Sequence, residues 1–273
     1  MNASREYGIA PSGYRLPDTT HLGRVVLQVA DLDRSLAFYE GLVGLRLLRR
    51  ADGVAELGAP ESGEVLLELR EKPGARPVPH RGLLGLYHFA VLLPDRAALG
   101  RLLRHLGSAG VRAGMSDHLV SEAIYLTDPD GLGLEVYADR PRSAWLHQDR
   151  QLAMTTAPLN VREVLAAAGD EPWTGVPAGT VIGHVHLYID DIEKGAAFYH
   201  ERIGFDKVVW SYPGALFVSA GGYHHHLGMN TWAAGSPVAT DDDARLLEWE
   251  IVVPGAEGFV VNDPWGTAVR IRS

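Results

Sequence analysis

Asp31-Leu-Asp-Arg-Ser-Leu-Ala-Phe-Tyr-Glu-Gly-Leu-Val-Gly-Leu45 returns 160 residues later as Asp191-Ile-Glu-Lys-Gly-Ala-Ala-Phe-Tyr-His-Glu-Arg-Ile-Gly-Phe205. A repeat at a fixed offset sets the architecture before any single residue does. Each copy follows an alternating apolar stretch, residues 25–29 and 185–189, which reads as a strand. Asp31 and Asp191 suit helix N-caps, where a short carboxylate accepts from free backbone N–H groups. The spacing of Leu36, Phe38, Tyr39 and Leu42 suits one face of a short helix, and Gly44 and Gly204 suit its C-terminal cap.

A weaker pair supports the same reading. His88-Phe-Ala-Val-Leu-Leu-Pro94 matches Glu248-Trp-Glu-Ile-Val-Val-Pro254 at the same offset, whereas Asp128-Pro-Asp-Gly131 matches Asp263-Pro-Trp-Gly266 at an offset of 135. The last copy is therefore about 25 residues short; the missing piece corresponds to a helix expected over 96–106 and its neighbours. The expected organisation is a tail (1–20), a first module (21–72), a second (86–138), a connector (139–180), a third (181–233) and a truncated fourth (245–273). Within the connector, residues 161–168 read as a helix between Pro158 and Pro172.

Composition narrows the function. The 273 residues carry 25 basic and 34 acidic side chains, a net charge of −9, which argues against a nucleic-acid surface. Without cysteine there is no disulfide, zinc-thiolate site or cysteine nucleophile. No apolar run reaches the length of a membrane span, and residues 1–18 lack an apolar signal core, so a cytoplasmic protein without a membrane partner is expected.

A first strand leading into Asp-hydrophobic-x-x-(Ser/Ala)-x-x-Phe-Tyr, with a later Asp-Pro-x-Gly-x-x-x-Glu, resembles the vicinal oxygen chelate superfamily. Glyoxalase I, bleomycin-resistance proteins and extradiol dioxygenases belong to it. The resemblance covers about residues 20–140 and 180–273 and implies an α+β fold, with four βαβββ modules forming two half-open barrels. It also implies where metal ligands lie: on a module's first strand, seven residues before the capping Asp, and on its last strand, four residues after the glycine of Asp-Pro-x-Gly.

Those places hold Arg24 in the first module, and His88 with Glu135 in the second. They hold His184 in the third, with the run His224-His225-His226 assigned to its last strand, and Glu248 with Arg270 in the fourth. Arg stays protonated and cannot ligate a cation, so the first and fourth modules read as metal-free. His88, Glu135 and His184 are the expected ligands: two histidines and a carboxylate, the facial triad of non-heme Fe(II) oxygenases. For them to converge, the second module must share a barrel with the third. Otherwise His88 and Glu135 need a third ligand from the first module or a water, His21 being the nearest candidate.

The second module carries a sharper signal. His118, Ile124-Tyr125, Asp128-Pro129, Gly131 and Glu135 follow the spacing of the extradiol ring-cleavage signature, departing only at Ser116, where that family prefers Gly or a few alternatives. Overall similarity is greatest to two-domain catechol 2,3-dioxygenase-like proteins. The resemblance implies catalytic roles for His118 and Tyr125, and for His225 of the His-His-x-Leu pattern. His224 and His226 are further candidates, since alternation alone does not say which face of that run meets the metal. The implied activity is opening of a catechol with O2 at Fe(II), with Mn(II), Ni(II) or Zn(II) as alternatives. The implied partners are a small aromatic substrate and O2, with homo-oligomerisation as the default. Competing readings are a glyoxalase-like lyase or isomerase, with His226 as a fourth ligand on Ni(II) or Zn(II), and a non-catalytic small-molecule-binding module. Trp145, Trp173, Trp210 and Trp232 are candidate pocket residues, although core or interface packing is the commoner role for each.

Overall fold

In the computed structural model, which describes residues 7–60 and 62–273, the apolar alternation becomes strands at the centres of two mixed sheets. The first module supplies β1 (His21–Val29), β2 (Arg46–Ala51), β3 (Val54–Gly58) and β4 (Val65–Glu71). The second supplies β5 (Gly85–Leu93), β6 (Gly114–Asp117), β7 (Ser121–Thr127) and β8 (Gly133–Asp139). A short connector hairpin, β9 (His147–Gln148) and β10 (Gln151–Leu152), comes next. The third module gives β11 (Val181–Tyr188), β12 (Asp206–Val209), β13 (Ala215–Ser219) and β14 (Leu227–Asn230), and the fourth β15 (Arg245–Val252), β16 (Phe259–Asn262) and β17 (Ala268–Arg272).

Within each module the first strand pairs in parallel with the last, as β5 with β8 and β11 with β14. The eight-stranded sheet runs β12-β13-β14-β11-β5-β8-β7-β6 and joins the second module to the third. Its seam is the antiparallel pairing of β5 with β11, which sets His88 opposite His186. The seven-stranded sheet runs β16-β17-β15-β1-β4-β3-β2 and joins the first module to the fourth. In the fourth module β15 ends at Val252 and β16 begins at Phe259, so both the helix and the outermost strand of the other modules are missing. Among the described residues, no helix is long and apolar enough to cross a membrane.

The repeated Phe-Tyr motif forms a shorter α-helix than its periodicity predicts. α1 (Leu32–Leu36) and α4 (Ile192–Gly195), interrupted in chain order by α2 (Arg96–Ser108) and the connector helix α3 (Val161–Ala167), each continue as π-helix, over Ala37–Leu42 and Ala196–Ile203. The Asp31 and Asp191 side chains cap α1 and α4, and Gly204 ends its helix in the left-handed region at φ +104. The motif tyrosines then tie the two sheets together. Tyr39 Oη donates to Asp128 Oδ2 at 3.0 Å, and Tyr199 Oη to Asp263 Oδ2 at 2.8 Å. Thus each tyrosine of one repeat motif holds the aspartate of the other, from the neighbouring module on the opposite sheet. Both tyrosines are fully buried in one apolar core shared by the sheets. Such a hydroxyl needs its partner, because a buried unpaired one costs about 1–3 kcal/mol.

Candidate metal centre and cavity

β5, β8 and β11 are adjacent, and their registers bring His88, Glu135 and His184 together. One ligand atom from each lies within 4.8 Å of the others. All three are buried, at 4%, 2% and 1% exposure. His184 Nε2 hydrogen-bonds Glu135 Oε2 at 3.1 Å. His88 Nε2 lies 3.0 Å from the same oxygen, but without the alignment of a hydrogen bond, and so has no partner. His184 Nδ1 is likewise buried and unpartnered. Burial lowers the pKa of both imidazoles against the opposing pull of Glu135, favouring the neutral, metal-binding form. Burial alone would raise the Glu135 carboxyl; His184 and His88 outweigh it and hold it well below the usual range. Two neutral imidazoles and a carboxylate, with buried orphan nitrogens, fit a divalent first-row ion.

The fourth place in this geometry is not a ligand. Glu135 pairs with Ala90, two residues beyond His88; the same step beyond His184 is His186, whose parallel partner is Gly228. A Cβ at position 228 would meet the His186 ring at 2.9 Å, so that ring fills the place a fourth side chain would take. His186 itself accepts from Asn230 Nδ2 at 3.0 Å. Sequence reading passed over His186 because it sought one ligand per first strand, although period-two alternation puts it on the face of His184.

A cavity of about 390 Å³ opens over the three candidate ligands, and His118, Tyr125, His186 and His225 also line it. His118 Nδ1 lies 2.7 Å from the Thr155 carbonyl, which can only accept, so Nδ1 carries the proton. His118 Nε2 is then an acceptor for Tyr125 Oη at 2.5 Å. Burial, and next the Glu135 charge, raises the Tyr125 pKa far above its ordinary value, keeping the phenol protonated. Residues 139–180, expected to be a connector, also help wall the site through Met154, Thr155 and Thr156.

The histidine run departs from its expected placement. β14 starts at Leu227, so His224, His225 and His226 lie in the bend before it and strand alternation does not orient them. His225 faces the cavity, its ring centroid 4.1 Å from that of His184. His224 is fully buried behind it, with Nδ1 2.7 Å from His225 Nδ1 and Nε2 2.8 Å from Asp139 Oδ1. His226 turns away, its Nδ1 3.0 Å from Ser219 Oγ. Neither of these two lines the cavity, and His226 is not among the clustered ligand atoms. His21 is exposed on β1 of the other sheet. Of the four candidate tryptophans, Trp232 lines the cavity and Trp145, Trp173 and Trp210 do not.

The description Glyoxalase/Bleomycin resistance protein/Dioxygenase superfamily matches residues 21–136. A catechol-2,3-dioxygenase of Bacillus subtilis (strain 168) is 47% identical over 240 residues, covering 86% of this chain and 83% of that one. Among solved structures, a protein from Bacillus subtilis subsp. subtilis str. 168 overlays with a TM-score of 0.61 at 14% identity, over 95% of this chain and 86% of that one. Glyoxalase I from Zea mays overlays with a TM-score of 0.52 at 17% identity, over 93% and 92%.

Proposed function

Since the chain belongs to the glyoxalase/bleomycin resistance protein/dioxygenase superfamily, we propose that it is an Fe(II)-dependent extradiol dioxygenase that opens a catechol ring with O2. The observation that carries this reading is the ligand count. His88, Glu135 and His184 occupy three of the four equivalent places, and Gly228 leaves the fourth without a donor. Three protein ligands leave open positions for substrate and O2, whereas the glyoxalase-like reading requires a fourth ligand. The 47% identity with a catechol-2,3-dioxygenase supports the same choice.

His88, His184 and Glu135 would hold the ion, and bound Fe(II) would supply the redox chemistry that O2 and a closed-shell catechol lack on their own. The remaining work falls to side chains with assignable protons. Asp139 Oδ1 accepts from His224 Nε2, which leaves His224 Nδ1 to receive the Nδ1–H of His225. His225 Nε2 is thereby left as a base beside the candidate ligands, placed to take a proton from a catechol hydroxyl. The proton that His225 takes is the one it can return as the ring opens, while across the cavity Tyr125 Oη donates to His118 Nε2, which fixes both groups against the substrate space. His88, Glu135, His184 and His225 are buried, and the low dielectric there strengthens these contacts.

The test is reconstitution with Fe(II) under anaerobic conditions, followed by catechol and air. O2 uptake with a yellow ring-opened semialdehyde is expected. Iron-loaded protein that consumes no O2 with any catechol would overturn the reading and favour the lyase alternative.

A further inference from the structure

Among the described residues that line the cavity, none is Lys or Arg, and Glu135 is the one acidic group. From the candidate ligands outward, one side is aromatic. Phe217 packs edge-on to His225 at 5.1 Å between ring centroids, and Tyr212 to Phe217 at 5.8 Å. Trp232 follows at 6.4 Å from Tyr212 and 6.0 Å from Tyr87, and it is 51% exposed at the mouth. Met154 from the connector adds an apolar surface. The wall thus runs unbroken from the candidate metal centre to solvent, and 390 Å³ exceeds what an unsubstituted catechol needs.

We propose that the substrate is a catechol bearing an uncharged apolar substituent, alkyl or aryl, lying along the wall of Phe217, Tyr212 and Trp232. This rests on the dioxygenase reading and specifies it. With its two hydroxyls directed to the ligands, the ring can lay its substituent along this wall, the apolar side of the cavity. A carboxylate there would lose its water, find no guanidinium or ammonium, and share the space with Glu135. Burying such a charge unpaired is far more costly than burying methylenes, whereas each added methylene against the wall improves binding by roughly 4-fold.

Calorimetric titration of the zinc-loaded protein reads binding without turnover, because zinc has no redox chemistry. The probes are 4-ethylcatechol, 3-phenylcatechol, 3,4-dihydroxybenzoate and 3,4-dihydroxyphenylacetate. The uncharged pair should bind on the order of 10²-fold more tightly than the acids, and kcat/KM of the iron enzyme should rank them alike. Trp232→Arg, at a half-exposed position that tolerates the change in folding, should raise affinity for the acids roughly 10-fold, the size of one charge-assisted contact; Trp232→Phe should keep the original order. Equal or tighter binding of the acids by the unaltered protein overturns this inference and leaves the dioxygenase reading standing. Failure of every catechol to bind or consume O2 overturns both.

Discussion

His88, Glu135 and His184 belong to three strands but meet as one buried group, so each should matter to metal retention more than an outer-sphere residue does. Changing any of them to Ala should reduce metal affinity by more than the roughly 10–100-fold typical of losing an outer partner. Metal analysis after dialysis, with circular dichroism to verify the fold, checks this; full occupancy in His184→Ala would remove it from the ligand set. His118 and His225 touch the cavity but hold other partners, Thr155 with Tyr125, and His224. His118→Ala and His225→Ala should therefore keep the metal and lower turnover by roughly 10²–10⁴-fold. Unchanged turnover in both would take proton transfer away from them.

At the scale of elements, the link between a helix tyrosine and a turn aspartate governs how strands meet, and it predicts a pH dependence. Burial, opposed by hydrogen bonds from Leu132 N–H and Tyr39 Oη, raises Asp128 from 3.8 to about 6. The native state therefore keeps a proton that the unfolded chain releases between about pH 4 and 6. Stability from this group is fully present below pH 4 and is lost as pH rises through 6, by up to about 3 kcal/mol. Asp128→Asn retains a neutral amide there and should flatten this part of the curve of urea midpoint against pH; parallel curves would show that Asp128 titrates normally. A second element-level test uses Gly228→Ala, whose Cβ must push the His186 ring aside. Turnover should fall while the metal stays bound, and loss of metal would instead put His186 among its supports. The clustering of His88, Glu135 and His184 was legible in the sequence because the capping Asp and the Asp-Pro-x-Gly turn are local signals that fix distances along the chain. Glu68, which pairs with Val26 as Glu135 pairs with Ala90, was missed because the first module has no such turn before β4, and His186 because only register shows that its strand partner is Gly228. The orientation of His224, His225 and His226 was beyond alternation, since these residues precede the strand and answer to Asp139 and Ser219 instead.

At the scale of the whole molecule, two barrels of common plan have parted in what they hold. Glu68 pairs with Val26, two residues beyond Arg24, and Arg270 with Glu250, two beyond Glu248; this is the step that relates Glu135 to His88. The seven-stranded sheet therefore presents Arg24, Glu68, Glu248 and Arg270 at the four places where the eight-stranded sheet presents His88, Glu135, His184 and Gly228. Arg24 lies 2.6 Å from Glu68, 3.6 Å from Glu248 and 2.9 Å from Glu250, so its guanidinium takes the central position of a cation among carboxylates. Arg270 and Arg272 close the outer sides of Glu248 and Glu250 at 2.7 and 2.9 Å. A fixed internal cation serves structure alone, and that gives the last prediction. Arg24→Leu should leave the three carboxylates, each at most 11% exposed in its side chain, short of one counter-charge. The cost should be about 2–4 kcal/mol by urea unfolding; it falls toward the lower end of the range for breaking a buried pair because Arg70, Arg270 and Arg272 remain in place. Metal content and turnover should not change, because Arg24 sits on the other sheet from His88, Glu135 and His184. If Arg24→Leu instead lost its metal while staying folded, the first module would have to contribute to the metal barrel, and the separation of roles between the two sheets would be wrong.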